Sequence, residues 1–121
     1  MKSSLFQKPH DVLCGPPFKH PLIMFDSSGL LWIQTDGDYS NEGEFEGMGN
    51  NQMLVGDPVT GEIHRFLTGP NGSEVTGLTW SADRKTMFVG IQHPGGSYPD
   101  GQGLPRSCIV AVWRDDDGLI G

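Results

Sequence analysis

The sequence predicts an all-β fold: a partial β-propeller of about two blades of antiparallel strands, and a fragment of a larger propeller. Eighteen Gly and nine Pro recur through the 121 residues, so few segments are long enough for a helix. Short apolar runs alternate with turn sequences, which is typical of strands joined by hairpins. Two of these units also resemble each other, which favours a repeated blade.

The first elements follow a lead-in. Residues 1–24 mix polar residues, Pro and Gly without any period, so we expect the propeller part to span residues 25–121. The segment "LIMFDSSGLLWIQTD" (22–36) predicts two short strands around an Asp-Ser-Ser-Gly turn. Residues 36–50 hold five acids and four Gly and predict an exposed or ligand-bearing loop.

A hairpin is predicted next, in "NQMLVGDPVTGEIHRFLTG" (51–69). In its turn, Pro58 presets φ, Asp57 can cap the turn and Gly61 takes a positive φ. On the returning strand, Ile63, Arg65 and Leu67 alternate.

Two further strands are predicted in "EVTGLTWSADRKTMFVGIQH" (74–93), around a polar turn at residues 82–85. A Gly/Pro-rich loop then leads to "CIVAVW" (108–113), a continuous apolar run that predicts a strand buried on both faces.

An internal echo supports the propeller interpretation. The segments "MFDSSGLLWI" (24–33) and "WSADRKTMFV" (80–89) match end to end, and Ile33 and Val89 are 56 positions apart. That spacing is a little more than the roughly 40 to 50 residues of a usual blade. Two partial blades cannot close a ring, so their flat faces would stay uncovered, and we expect the chain to be part of something larger.

Composition limits the function classes. The net charge of −7, from 15 acids and 8 bases, argues against a nucleic-acid surface and is compatible with cation binding or with a plain acidic protein. No stretch approaches the roughly 20 apolar residues of a membrane span, and no signal segment is present, so we expect the chain as given to stay in the cytoplasm. Cys14 and Cys108 lack zinc-site spacing and are interpreted as free or buried thiols.

Three segments carry a specific resemblance: "LWIQTDG" (31–37), "GNNQMLVGDPVTGEIHRFLTGPNGSEVTGLTW" (49–80) and "KTMFVGIQHPG" (85–95). They are collinear and closely resemble the C-terminal region of the PhoX family of bacterial alkaline phosphatases, also labelled DUF839, over about residues 25–121. The resemblance implies a β-propeller that holds calcium and iron ions, hydrolyses phosphate monoesters and is exported through the twin-arginine route.

The same resemblance implies that Glu74, in the "EVTG" motif, is a metal ligand at the propeller centre. A carboxylate on an innermost strand, reached through a Gly-containing turn, suits a hard cation. The alternative is a rim Glu that caps Thr76 or backbone amides. Asp36, with Gly37 and Asp38, can wrap a calcium ion, although an Asx-turn is an equal alternative for Asp36.

Weaker candidates surround these two positions. Asn50, Asn51 and Gln52 can orient a metal-bound oxyanion, but satisfying loop backbone is the favoured interpretation. His93, after Gln92, can ligate a metal or shuttle protons, and is more often structural. The loop acids favour a solvated loop over a weak calcium site, and Arg65 is predicted to be a sheet-surface charge; these acids are Glu42, Glu44 and Glu46.

The sequence also departs from the family pattern. The Asp that commonly follows the family's Pro is missing after Pro21, and Ser73 stands where Cys often precedes the motif Glu. No GxSxG, P-loop or HExxH motif is present. We therefore expect a fragment of a calcium- and iron-dependent phosphatase that is inactive alone, because a metal cluster needs ligands from several blades. The alternatives are a non-catalytic β module that pairs with a partner chain or self-associates through open sheet edges, or a gene remnant.

Overall fold

The computed structural model of the chain describes residues 22–37 and 46–121. Within these two ranges the regular structure is entirely β, and no helix is long and apolar enough to cross a membrane. The strands are β1 (Leu22–Phe25), β2 (Leu31–Gln34), β3 (Gln52–Gly56), β4 (Ile63–Thr68), β5 (Glu74–Trp80), β6 (Thr86–Gln92) and β7 (Cys108–Trp113).

The strands form two antiparallel sheets, and in each sheet neighbouring strands are consecutive in the sequence. Sheet 1 has the order β1-β2-β3-β4 and sheet 2 has the order β5-β6-β7. Each sheet opens with one copy of the internal echo, and the two copies form matching hairpins. Both turns reverse the chain through a residue in the left-handed conformation, Gly29 (φ +88°) and Arg84 (φ +59°), although the second turn is one residue longer. The prediction of two antiparallel blades is confirmed.

The core lies between the two sheets and explains why they stack. Sheet 1 contributes Trp32 and Met53, and sheet 2 contributes a larger apolar set. The indole of Trp32 meets Trp80 across the interface with ring centroids 6.5 Å apart, in the edge-on geometry that aromatic pairs prefer. The sheet 2 members are Val75, Leu78, Met87, Val89 and Ile91.

The predicted hairpin at residues 51–69 forms, and its turn works as expected. Asp57 Oδ1 accepts from Val59 N at 2.8 Å, and Gly61 has φ +75°. The alternation along β4 is interrupted, however. Met53 pairs with Leu67 while Leu54 pairs with Arg65, so β4 carries one extra residue at this point. A β-bulge of this kind shifts the faces, and Ile63 and Leu67 therefore pack into different apolar clusters.

The prediction that β7 is buried on both faces was wrong. Its residues alternate between half-buried and exposed, and Ile109 and Trp113 are 74% and 65% exposed. The run "CIVAVW" is apolar on both faces, but β7 is the last strand of sheet 2 and only one of its faces meets sheet 1. A continuous apolar run cannot by itself show that both faces are covered. Cys108, at the start of this strand, is a free thiol as predicted.

The strand directions place matching ends of both sheets at one edge of the molecule. Register pairs Gln34 with Met53 in sheet 1, and Glu74 with Gln92 in sheet 2. We call the edge formed by the ends of β2, β4 and β6 and the starts of β3, β5 and β7 the Glu74 rim. Hydrogen bonds described below join the two sheets along it.

The opposite rim is closed by the C-terminal residues. Trp80 Nε1 donates to Ile120 O at 3.1 Å, and Ile120 N donates to Arg84 O at 2.8 Å. Ser27 Oγ, in the β1–β2 turn, donates to Gly121 O at 2.8 Å. The tail thus ties the end of sheet 2 to the first turn of sheet 1.

Asp26 organises that first turn. Its carboxylate accepts hydrogen bonds from Ser28 N and Oγ, from Leu30 N, and from Trp32 Nε1 at 2.8 Å. Partial burial raises the pKa of Asp26, but the hydrogen bonds from Ser28, Trp32 and Leu30 outweigh it, so the pKa lies below its usual value. The turn is therefore held best by the ionised carboxylate.

Candidate functional site

The two predicted metal ligands lie at the Glu74 rim, one in each sheet. Glu74 is the first residue of β5, lies opposite Gln92 on β6 and is half-buried. Asp36 follows the end of β2 and is also half-buried. Neither residue lies inside the core, and both follow turns or strand ends where a side chain can reach a ligand.

Asn51 links the backbone next to these two acids. Its Oδ1 accepts from Gly37 N at 2.6 Å and from Thr35 Oγ1 at 3.2 Å. Its Nδ2 donates to Gly37 O at 3.2 Å and to Ser73 O at 3.0 Å. Because Gly37 follows Asp36 and Ser73 precedes Glu74, this one carboxamide holds both acidic positions at the junction of the sheets.

Asn50 holds the turn that leads into β5. Its Nδ2 donates to Pro70 O at 2.6 Å and to Ser73 O at 2.8 Å. Ser73 Oγ in turn donates to Pro70 O at 2.7 Å. The favoured interpretation of Asn50 and Asn51, that they satisfy loop backbone, agrees with these contacts. The loops they satisfy are those that carry Asp36 and Glu74.

Glycines allow these segments to approach closely. Gly69 N donates to Asn51 O at 2.7 Å, and a Cβ on Gly69 would lie 2.7 Å from Ser73 Oγ and 2.9 Å from a Val75 methyl. Any larger residue would push the turn away from Asn51. Gly95 N donates to Asn71 O at 2.8 Å, which fastens the loop after β6 to the same turn.

The remaining candidates have varied positions. Gln52 is buried, and its Nε2 donates to Met48 O at 2.8 Å. His93 is exposed at this rim with φ +48°, and its N–H donates to Ser107 Oγ. Arg65 is exposed on β4, as predicted, and Glu46 is exposed in its loop. Asp38, Glu42 and Glu44 lie outside the described residues.

Gln34 and Thr35 are buried polar residues at this rim that were not predicted as site residues, and Ser73, noted only as a departure from the family pattern, is buried as well. Thr35 Oγ1 accepts from Gln52 N at 2.8 Å, and Gln34 Nε2 reaches across the interface to Gly77 O at 3.0 Å. The available signal was Gln34, a large polar residue that ends the otherwise apolar strand "LWIQ". Buried polar residues of this kind are normally hydrogen-bonded.

A cavity of about 340 Å³ opens beside the rim on sheet 2 and is lined in part by Gln92, Ser107 and Cys108. The Cys108 thiol lies 3.4 Å from the Tyr98 hydroxyl, and this hydrogen bond raises the pKa of Tyr98. The phenol therefore stays neutral beside Cys108.

The carboxylate and amide oxygens at the rim suit a hard cation, but they do not form a complete metal site. Across residues 22–37 and 46–121, no group of three or more His, Cys, Asp or Glu residues is placed to hold a metal. Carboxylates and amide oxygens are nevertheless the ligands that calcium takes, typically six to eight at a time. One amide oxygen, Asn50 Oδ1, is buried without a hydrogen-bond partner among the described residues. The residues present thus fit part of the shell of such an ion.

The comparisons with known proteins agree with this picture. The family model for alkaline phosphatase PhoX matches residues 17–95. A solved structure of Pseudomonas fluorescens PhoX in complex with vanadate, a transition state analogue, is 55% identical, with a TM-score of 0.78. That similarity covers 82% of this chain and 18% of the Pseudomonas protein, so the chain spans about a fifth of its relative's length. No curated protein sequence matches the chain. Together, the family match over most of the sequence and the shared fold at this identity show that the chain belongs to the PhoX alkaline phosphatase family.

Proposed function

We propose that the chain forms a two-blade part of a PhoX-type alkaline phosphatase that hydrolyses phosphate monoesters. The observation that carries this proposal is the 55% identity, over 82% of the chain, to a protein solved with a transition state analogue bound. The chain corresponds to 18% of that protein, so it supplies part of the site and is inactive alone. The other ligands and the groups that hold the phosphate come from further blades.

Within this function, Glu74 and Asp36 hold metal ions of the calcium and iron type. Such ions, when bound, neutralise the charge on phosphate oxygens and activate the attacking oxygen nucleophile. The chain's own part is to fix the two carboxylates in place. Asn51 does this through its hydrogen bonds to Gly37 and Ser73, and rigid support of this kind preserves the geometry of a ligand set.

A chimera tests the proposal in a complete enzyme. The segment of Pseudomonas fluorescens PhoX that matches this chain is replaced by the chain, and hydrolysis of p-nitrophenyl phosphate and bound calcium and iron are measured. We expect an active chimera that loses at least about 100-fold in turnover, and part of its metal, on Glu74→Gln. Glu62→Gln, a matched change in the exposed β3–β4 turn, should leave both unchanged.

A Glu74→Gln chimera with full turnover and full metal content would contradict the assignment of Glu74. The same measurement on Asp36→Asn decides the second ligand. Turnover by the unfused 121-residue chain with added calcium and ferric iron would contradict the claim that its site is incomplete.

A second candidate function, a β module that self-associates or pairs with a partner chain, is favoured by the exposed apolar surface. All four residues of β1 are exposed, and so are Ile109 and Trp113 on β7. Among the described strands, β1 and β7 each lie at the edge of a sheet, the usual point of strand addition. Sedimentation should then show oligomers, whereas a strict monomer at high concentration would exclude self-association.

A further inference from the structure

The orientation of the Asn50 side chain is fixed by its neighbours. Asn50 is only 8% exposed, and its Nδ2 faces Pro70 O at 2.6 Å, Ser73 O at 2.8 Å and Ser73 Oγ at 3.3 Å. Two of these acceptors are carbonyl oxygens, which cannot donate. Rotating the amide by half a turn would set oxygen against oxygen, so Nδ2 must face the turn and Oδ1 must face away from it.

The Oδ1 atom then lacks a partner. It is fully buried, and no donor of the described residues reaches it. A buried acceptor left in this way costs about 1 to 3 kcal/mol, so native proteins rarely retain one without a water, an ion or a functional reason. The neighbouring Asn51 shows the contrast, since both ends of its carboxamide are used.

The surroundings of Asn50 favour a cation as the missing partner. Its Nδ2 is bonded to Ser73, whose chain neighbour is Glu74, and Asn51 fixes the position of Asp36 through Gly37. Neutral amide oxygens commonly join carboxylates in a calcium shell. We propose that Asn50 Oδ1 is a ligand for a calcium-type cation at the Glu74 rim, an inference that rests on the proposed function and adds a ligand to its site.

Gln34 provides an internal comparison. Its Oε1 is also buried without a partner in the described part of the chain, but its Nε2 bonds Gly77 O in the middle of β5. Gly77 lies four residues beyond Ser73, roughly 13 Å along an extended strand. The Gln34 amide therefore hydrogen-bonds further along β5 than the Asn50 amide, which bonds the turn before this strand.

The first test uses the unaltered, metal-free 121-residue chain. Calcium chloride is titrated while the side-chain amide resonances are followed by NMR and heat is followed by calorimetry. We expect saturable calcium uptake with the largest shift at the Asn50 carboxamide signals and smaller shifts at those of Gln34 and Asn71. Absence of calcium uptake at millimolar concentrations, or uptake that leaves Asn50 unmoved, overturns the proposal.

Two substitutions separate ligation from a purely structural role. Asn50→Ser removes the ligand oxygen and should weaken calcium binding about tenfold, whereas Asn50→Asp keeps a ligand oxygen while losing the same contacts to Pro70 O and Ser73 O, and should bind calcium more tightly than Asn50→Ser. A purely structural role weakens binding in both variants alike, because both lose the Nδ2 donor. Asn71→Asp, in the exposed part of the same turn, measures the effect of added charge alone.

The outcomes also distinguish this inference from the proposed function. If Asn50→Ser binds calcium as tightly as the wild type while Glu74→Gln abolishes binding, only the assignment of Asn50 as a ligand is wrong. If calcium binding follows the expected pattern and the chimera hydrolyses no phosphate ester, the cation site stands and the phosphatase function fails.

Discussion

The carboxamide of Asn51 is the contact whose loss should most loosen the junction of the two sheets. Asn51→Leu keeps the size of the side chain and removes four hydrogen bonds. Two of these are accepted, from Gly37 N at 2.6 Å and Thr35 Oγ1 at 3.2 Å, and two are donated, to Gly37 O at 3.2 Å and Ser73 O at 3.0 Å. The side chain is 5% exposed, so water cannot simply replace it.

The magnitude follows from these four bonds. Each contributes about 0.5 to 1.5 kcal/mol net, and buried groups left unpaired cost more. Gly37 is half-buried and can recover part of its bonding from solvent. We therefore expect Asn51→Leu to lower the free energy of unfolding by about 3 kcal/mol, or roughly 150-fold in the unfolding equilibrium.

Guanidinium unfolding followed by tryptophan fluorescence measures this change, because Trp32 and Trp80 face each other across the sheet interface. Asn71→Leu is the matched control: it makes the same chemical change at an exposed turn position and should stay within about 0.5 kcal/mol of the wild type. If Asn51→Leu destabilises no more than Asn71→Leu, the claim that this amide joins the sheets is wrong.

Three further outcomes are expected. Asp26→Asn replaces a carboxylate oxygen that accepts from the Trp32 indole with a donor, and should lower the free energy of unfolding by about 1 kcal/mol. The pKa of Asp26 is lowered in the folded state, so its contribution is present above the unfolded pKa near ~3.9 and is lost as the pH falls through the folded pKa. When the free energy of unfolding is measured against falling pH, the values for wild type and variant should therefore converge. Gly90→Val should cost at least about 2 kcal/mol, since its Cβ would collide with a β5 carbonyl, whereas Gly56→Ala, with a nearest contact at 3.5 Å, should be tolerated in the same thermal melts. Met53→Ala empties a fully buried position and should lower stability by about 2 to 4 kcal/mol in chemical denaturation.

The hairpins could be predicted because their signals are local. The Asp-Pro-Val-Thr-Gly turn fixes φ at each critical position, and the structure shows the expected Asp57 cap and positive φ at Gly61. The echo between residues 24–33 and 80–89 likewise marked the opening hairpin of each sheet. Local turn chemistry and a repeat therefore sufficed for the strand order.

Features that depend on what lies across an interface could not be predicted. The bulge in β4 allows Phe66 to meet Trp32 with ring centroids 4.9 Å apart, and no turn residue in the sequence marks it. The exposure of Ile109 and Trp113 depends on the absence of a third sheet over β7 in the described structure. The ligand roles of Glu74 and Asp36 stay predictions, because no group of three or more His, Cys, Asp or Glu residues forms within residues 22–37 and 46–121.

The amides at the Glu74 rim hold the loops that carry Asp36 and Glu74 at the junction of the two sheets. Burying polar side chains is costly unless they are hydrogen-bonded, yet this rim buries Asn50, Asn51 and Gln52 in succession. The Asn50 and Asn51 amides donate to the backbone beside the two acids, and Gln52 donates to Met48 O, so these loops are held without a ligand. A site assembled from several blades needs such support in each blade, because an error in one loop misplaces the shared ligand. The unpartnered Asn50 Oδ1 fits the proposal that the same side chain both supports the turn before β5 and binds the cation.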